Sequence, residues 1–229
     1  TVSVIIPTHN RAKFLIDALC SVDSQTMKPF EIIVVDDGST DHTRKIISES
    51  DFKITYVYQK NRGVAAARNA GIARASGDVI AFLDDDDLLL PKAFELTVNH
   101  FENENLQAEI VFGLTMPAKN IKKVKDAFTY DAIPPAWPEH LIGGAVIRAK
   151  LFDKIGLFDE ALTFGQDLDW HMRAKEKNIR FEFVSEITHI YRMHNNNRTK
   201  QVNESKKFML KVLKKSLTRR EKVGFGEAI

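Results

Sequence analysis

The sequence predicts an α/β protein built on a mainly parallel central sheet with helices on both faces. Three observations lead there. Apolar runs alternate with helical patterns through the first half of the chain, which is the signature of parallel strands joined by crossover helices. The runs are nearly continuous in apolar character, which suits strands covered on both faces. Most of them end in polar or acidic residues, and the carboxyl edge of an open parallel sheet is where ligands bind. With 229 residues and 44% hydrophobic content, the chain is long enough for one sizeable core, so one domain with an appended segment is the expectation.

Taken in order, residues 2–7 form the first apolar strand, and Phe14, Leu15, Ala18, Leu19 and Val22 then fall on one side of a helical pattern. Residues 32–35 make a second strand. It closes in Asp36-Asp37-Gly38-Ser39-Thr40-Asp41, where Gly permits the turn and Ser39 or Thr40 can cap a helix. Residues 54–58 are a third strand, and the Ala-rich stretch 63–75 reads as a helix ending near Gly77. Residues 79–83 are a buried strand that runs straight into four carboxylates. Pro91 then suits the first turn of a helix with Phe94, Val98 and Phe101 on its inner face. Residues 115–140, with Pro117, Pro134, Pro135, Pro138 and several lysines, read as a long loop able to close over a substrate. Residues 143–147 return to strand character, 167–177 to a helix and 181–184 to a strand.

The bulk composition removes several function classes. Lys and Arg number 33 against 31 Asp and Glu, so the net charge of +2 gives no whole-molecule case for nucleic acid. The single cysteine, Cys20, forbids an intramolecular disulfide and reads as a small buried thiol, which favours a reducing compartment. No run approaches the roughly 18 apolar residues of a membrane span, and the first strand opens without a signal-peptide pattern, so the expected location is cytoplasmic.

Several constellations carry chemistry. In Asp84-Asp85-Asp86-Asp87 an extended chain would face Asp84 and Asp86 one way and Asp85 and Asp87 the other. Four adjacent carboxylates repel unless water or a cation screens them. A hard divalent ion would do so, and so would solvent around an acidic turn. Asp36-Asp37 can accept hydrogen bonds from a nucleobase or ribose, or can serve an Asx-type turn about Gly38. Arg62 and Arg68 flank and enter a helix, where a guanidinium can reach a phosphate, orient a carboxylate or stay solvated. Asp167 and Asp169 open a helix behind Phe164-Gly165-Gln166, either complementing its dipole or supplying a general base. Arg192 and His194 close the strand-like run Tyr191-Arg192-Met193-His194, as diphosphate clamp and metal ligand or as polar surface.

The order of these motifs resembles a known family. Pro7-Thr8-His9-Asn10, Val34-Val35-Asp36-Asp37-Gly38-Ser39-Thr40-Asp41, Asn61-x-Gly63 with Ala67-Arg68-Asn69-x-Gly71, and Leu83-Asp84-x-Asp86-Asp87 resemble the donor half of family 2 glycosyltransferases. Gly156-Leu157-Phe158-Asp159-Glu160, Asp167-x-Asp169-Trp170 and Tyr191-Arg192-x-His194 are similar to its acceptor half, and the likeness spans residues 2–199. The resemblance implies a GT-A fold, a three-layer sandwich. Its Rossmann-like residues 1–114 would bind the donor, 115–199 would form the acceptor and catalytic half, and 200–229 would be a basic helical tail. It also implies inverting transfer of a hexose from a nucleotide-diphosphate sugar, a UDP-sugar, to a hydroxyl of a carbohydrate or lipid-linked acceptor, with Mn²⁺ or Mg²⁺, in polysaccharide or glycoconjugate synthesis.

Residue by residue, the resemblance places Pro7, Thr8, Asn10, Asp37 and Arg68 in the nucleoside pocket, with Asn61, Asp85 and Arg192 elsewhere in the nucleotide-sugar site. Asp84 would lie near the ribose and metal, Asp86 would ligate the metal, His194 would support metal or diphosphate, and Asp167 would be the base. The family has Glu before that Asp, where this chain has Gln166, so one charge beside the base is lost. A catalytically degenerate nucleotide-binding protein is the alternative this keeps open. A nucleotidyltransferase would call for a Gly-rich, basic phosphate loop after the first strand, and there is none. In the tail, bases outnumber acids, and Met209, Leu210, Leu213 and Leu217 share a helical face. That face either packs on its own domain or rests on an anionic membrane, which would make the protein peripheral at the inner membrane face.

Overall fold

The computed structural model describes residues 1–103, 106–138, 142–195, 197 and 202–223. The first half alternates as expected. The order is β1 (Val2–Thr8), α1 (Ala12–Asp23), β2 (Glu31–Asp36), α2 (Thr43–Ser48), β3 (Ile54–Tyr58), α3 (Val64–Ile72), β4 (Val79–Phe82), the short β5 (Leu88–Leu89) and α4 (Ala93–Glu102). The second half adds β6 (Ile110–Val124), β7 (Ala127–Ala132), β8 (Trp137–Pro138), β9 (Ala145–Arg148), α5 (Leu151–Ile155), α6 (Gln166–Glu176), β10 (Phe181–Arg192) and α7 (Val202–Val223).

One sheet holds all ten strands, in the order β3-β2-β1-β4-β9-β6-β10-β5, with β7 and β8 paired to β6. β1, β2, β3 and β4 pair in parallel, as do β6 and β10, while β9 lies antiparallel to both β4 and β6. Two reversals restore direction, so β6 and β10 run the same way as β1, and the sheet is mainly parallel. The fold is of GT-A type, a single sheet between two helical layers.

The two layers correspond to two apolar clusters. Alternate residues of β1, Val4 and Ile6, meet Leu15, Leu19 and Val22 of α1 and Phe94 of α4 on one face. Ile5 on the other face joins Ile33, Phe82, Ala67 of α3, and Phe152, Phe158, Trp170 and Ala174. That alternation follows from the pleat, because successive side chains point to opposite faces. Burying a side chain of the Leu or Phe class contributes about 1.5–3 kcal/mol. Leu15, Leu19 and Val22 are fully buried, so packing outweighs the roughly 1 kcal/mol that α1 forgoes by having no side-chain cap at Arg11. Asp41 accepts the Ala12 N–H at 3.1 Å in place of that cap.

The structure corrects several expectations. Residues 115–132 are not a loop: β6 runs on to Val124 and turns through Lys125 and Asp126 into β7. The prolines masked a period-two pattern in which Ile121, Phe128 and Tyr130 pack together beside Ala118 and Ile190. Pro117 interrupts nothing, because the register with β10 continues from Pro117↔Tyr191 to Ala118↔Arg192. The division expected after residue 114 falls inside this strand. The N-cap of α2 is neither Ser39 nor Thr40 but His42, and the carboxylate of Asp41 just before it accepts the Thr43 N–H at 3.0 Å. Cys20 is half-buried rather than buried, and the Lys123 Nζ lies 3.0 Å from its Sγ. Residues 139–141 of the expected loop, and 200–201 and 224–229 of the tail, lie outside the described residues.

Candidate active site

The carboxyl ends of β1, β2, β4 and β10 meet along one edge of the sheet. At the end of β4 the four carboxylates do not alternate along an extended strand as expected. The Asp87 N–H closes a turn onto the Asp84 carbonyl at 3.0 Å, so each side chain takes its own direction. Asp84 accepts from the Arg68 guanidinium at 2.8 Å. Asp85 is buried, accepts the Thr8 hydroxyl at 2.7 Å and lies 3.7 Å from Arg11. Asp86 meets both Arg11 and His194, the latter at 2.9 Å. Asp87 is buried against His189 at 3.3 Å and accepts the Arg192 N–H at 2.8 Å.

Like-charge repulsion, which by itself would call for a cation, is therefore met largely by the chain's own bases. Burial pushes the Asp85 carboxyl up to about 7 against the opposing effects of Arg11 and Thr8. Burial likewise raises Asp87, with the His189 hydrogen bond acting the other way.

Arg68 is 2% exposed and reaches two carboxylates at once, Asp84 and Asp167. Its guanidinium also lies over the Phe82 and Phe158 rings, 5.8 and 5.7 Å from their centroids. Rather than lining an open pocket, it bridges the acidic turn to the start of α6. Gly165, in the left-handed region at φ 72°, turns the chain into that helix. Of the two acids in the first turn, Asp169 is tied to Arg173 and Arg219, each at 2.9 Å. Asp167 faces Arg68 and the acidic turn. Gln166 is buried beside it, and its Oε1 has no hydrogen-bond partner among the described residues.

The other expected residues hold the loops together. Asn10, at φ 54°, accepts the Thr40 N–H at 2.7 Å and donates its own N–H to Ser39 at 2.9 Å. Asn tolerates that left-handed backbone better than most residues. Asp36 accepts the Tyr56 hydroxyl and the Ser39 N–H, both at 2.7 Å, and burial together with that bond raises the phenol. Asp37 accepts from Gln59, from the Arg62 N–H at 2.8 Å and from the Gly63 N–H at 2.7 Å. Its carboxylate thus fixes the 59–63 loop. Gly38, at φ 81°, has no room for a side chain, since a Cβ there would lie 2.7 Å from the Asn61 nitrogen. Asn61 and Asn10 each place Nδ2 3.1 Å from the His9 Nε2. Pro7 is buried within β1, paired with Val35.

Arg192 is buried and committed within the protein. Its Nε donates to the Asp86 carbonyl at 2.7 Å, a terminal nitrogen meets Asp17 at 2.9 Å, and the group lies over Phe14 at 5.0 Å. It braces the acidic turn. His194 stacks on the same Phe14 ring at 5.0 Å.

Between α1 and His194 lies a cleft of about 200 Å³, lined among others by His9, Arg11, Lys13, Phe14 and Asp41. Sequence reasoning missed Arg11, Lys13 and Asp17, and it placed Phe14 in the core, where the ring instead forms a half-buried wall. The available signal was their position just after Pro7-Thr8-His9-Asn10, in the first turns of a helix that leaves the ligand edge. Among the described residues no three His, Cys, Asp or Glu side chains converge to hold a metal.

A mainly parallel sheet of GT-A type thus carries an acidic turn at its carboxyl edge, joined through Arg68 to Asp167 on a following helix. Residues 3–154 match the model of Glycosyl transferase family 2. The chain belongs to that family.

Among curated relatives it is 48% identical to an uncharacterized glycosyltransferase of Rickettsia felis over 45% of this chain and 18% of that protein. It thus spans under a fifth of the length of such relatives. It is 32% identical to the uncharacterized glycosyltransferase YwdF of Bacillus subtilis over 83% of this chain and 73% of that one. In three dimensions it is similar to S. aureus TarS 1-349 in complex with UDP-GlcNAc, with a TM-score of 0.72 at 19% identity over 93% of this chain and 65% of that one. TarS 1-349 in complex with UDP gives a TM-score of 0.68 at 20% identity, over 84% and 60%.

Proposed function

We propose that the protein transfers a sugar from a UDP-sugar to an acceptor hydroxyl by a single inverting displacement. The observation that carries this reading is the Arg68 bridge, which sets Asp167 of the second half in register with the acidic turn of the first. A base and a donor held by separate segments must be fixed relative to each other, because misplacement by about 1 Å can cost 10²-fold in rate. The complexes of TarS with UDP and with UDP-GlcNAc support uridine diphosphate as the donor's carrier.

In the reaction Asp167 takes the proton of the acceptor hydroxyl. The acceptor oxygen bonds to the anomeric carbon from the face opposite the diphosphate. The anomeric carbon–oxygen bond breaks, and the electron pair leaves with UDP. Thr8, Asn10, Asp37 and Asn61 shape the nucleoside end, either directly or by fixing the loops around it. Arg11 and Lys13 line the cleft with positive charge suited to the diphosphate, and His9 lies beside them.

Asp86 and His194 would hold a divalent ion, Mn²⁺ or Mg²⁺. The two side chains lie 2.9 Å apart, and the pair would suit such an ion once Arg11 turned from Asp86 toward the diphosphate, since Mg²⁺ commonly takes only one or two protein carboxylates and completes its shell with phosphate oxygens and water. Such an ion would supply neutralising charge to the departing diphosphate. The acceptor, carbohydrate or lipid-linked, would enter on the α6 side, and polysaccharide or glycoconjugate synthesis is the process this chemistry serves.

The test is a thermal-shift panel of nucleoside diphosphates and nucleotide sugars, each with and without Mn²⁺. A ligand that binds only the folded state raises the apparent Tm. UDP and UDP-sugars should give a metal-dependent rise that the other nucleotides do not. No rise with any of them would overturn the donor assignment.

A further inference from the structure

α7 is docked along one side only. Val212 and Ser216 are buried, Ser216 and Arg219 hydrogen-bond to Glu176 of α6, and Lys215 pairs with Asp159. The side turned away carries Met209, Leu210, Leu213 and Leu217, which are 54, 68, 40 and 60% exposed. Four large apolar side chains on one helix face form a contiguous patch of the kind that marks an interaction surface. The helix as a whole is basic, with eight Lys and Arg against two Glu over Val202–Val223, of which Lys215, Arg219 and Arg220 pair with acids on the docked side. Lys211 and Lys214 are exposed beside the leucines.

An apolar stripe flanked by lysines is the pattern of a helix lying in the plane of a lipid interface, and no helix among the described residues is long and apolar enough to cross a membrane. A second copy is a poorer occupant, because it would bring two such basic helices together. An anionic surface complements them.

We propose that the outward face of α7 seats the protein on an anionic bilayer and thereby presents the Asp167 end of α6 to a lipid-linked acceptor. The presentation part rests on the transfer reading above. The geometry links the two, since Phe208 of α7 packs on Phe164 with ring centroids 5.5 Å apart. A Cβ on Gly165 would lie 3.3 Å from Val212. The loop that leads into Asp167 therefore lies directly against the docked side of α7.

The test is co-sedimentation of the whole chain with vesicles of phosphatidylcholine alone or mixed with phosphatidylglycerol, at low and high salt and without donor. Two sets of variants accompany it, Leu210→Glu/Leu213→Glu/Leu217→Glu and Lys211→Glu/Lys214→Glu. All these side chains are exposed, so the fold should survive, and an unchanged far-UV spectrum checks it. The wild type should partition about tenfold or more in favour of the anionic vesicles, lose that preference in high salt, and lose it in both variants. Equal pelleting with both lipids, no pelleting, or retention by the leucine variant would overturn the proposal. Sedimentation velocity showing a wild-type dimer that the leucine variant abolishes would also overturn it, assigning the face to a second copy. Vesicle binding needs no nucleotide, so a chain that pellets but shows no UDP-induced thermal shift keeps the lipid surface and loses the transfer reading.

Discussion

Arg68 carries two carboxylates in a place almost without solvent, and that fixes what its replacement must cost. Removing one partner of a buried ionic group costs most where the remaining charge stays buried, which here is Asp167, 15% exposed, rather than Asp84, 42% exposed. Arg68→Met should lower the urea midpoint accordingly, while Arg68→Lys keeps the charge without the planar fork that reaches Asp84 and Asp167 together. The lysine variant should therefore recover part of the stability but not the turnover. Asp167→Asn should reduce kcat by about 10²–10⁴-fold while leaving the UDP affinity with Mn²⁺ unchanged. Asp86→Ala should instead abolish the metal-dependent part of UDP binding, and equal loss of UDP affinity in both variants would contradict this division of roles. At this scale the sequence showed which residues gather at the sheet's edge more clearly than what each one touches there. Asp84, Asp86, Asp167 and His194 could be named because acids and a histidine at strand or helix ends are legible. That Arg68 is a buried bridge and that Asp37 and Arg192 are occupied in bracing loops depends on long-range contacts that no local pattern encodes. Arg11 was passed over for the same reason, since its partners Asp85 and Asp86 lie more than seventy residues away.

Secondary-structure elements meet the site through a few ties, and two can be tested. Glu176 joins α6 to α7. Burial alone would raise its carboxyl, but hydrogen bonds from Arg219 and Ser216 outweigh burial and hold it below its ordinary 4.5. A carboxyl depressed in the folded state contributes stability that is present above its unfolded pKa and is lost as pH falls through the folded one. Glu176→Gln should thus destabilise the protein by about 1–3 kcal/mol at pH 7, and the Tm gap from wild type should close below the carboxyl's ordinary range. Gly71 of α3 sits so close to β1 that a Cβ would lie 2.4 Å from the Ile5 Cγ2. Gly71→Ala should cost about 1–3 kcal/mol by overpacking, readable as a lower urea midpoint, and should move Arg68 with the helix. The parallel strands β1, β2 and β4 were legible because each is a largely apolar run between helical patterns. β6 and β7 were not, since prolines and lysines obscure their two-residue period and their pairing is set by β10 and by each other.

At the scale of the molecule, a single sheet makes the two halves inseparable. The core on the α3 face combines Ile5, Ile33 and Phe82 with Phe112, Phe152 and Trp170, and β4 is covered on its far side only by β9. Residues 1–114 made alone would expose both an apolar face and an unpaired strand edge. That fragment should show no cooperative urea transition, whereas the whole chain should show one. A steep independent transition in the fragment would mean that the donor half is a domain of its own. The GT-A architecture was readable because the order of strands and polar strand ends is written along the chain. The place where the halves join was not, because β9 lies fourth in the sheet's second half by sequence yet beside β4 in space. That placement also bears on how the protein is made. Asp86 and His194 are 2.9 Å apart in the folded sheet and 108 residues apart in the chain. During synthesis the first half leaves the ribosome long before β10, so a nascent chain holds the acidic turn without His194 and without Asp167. The arrangement therefore comes into being only once β10 has been made and slides into place beside β6.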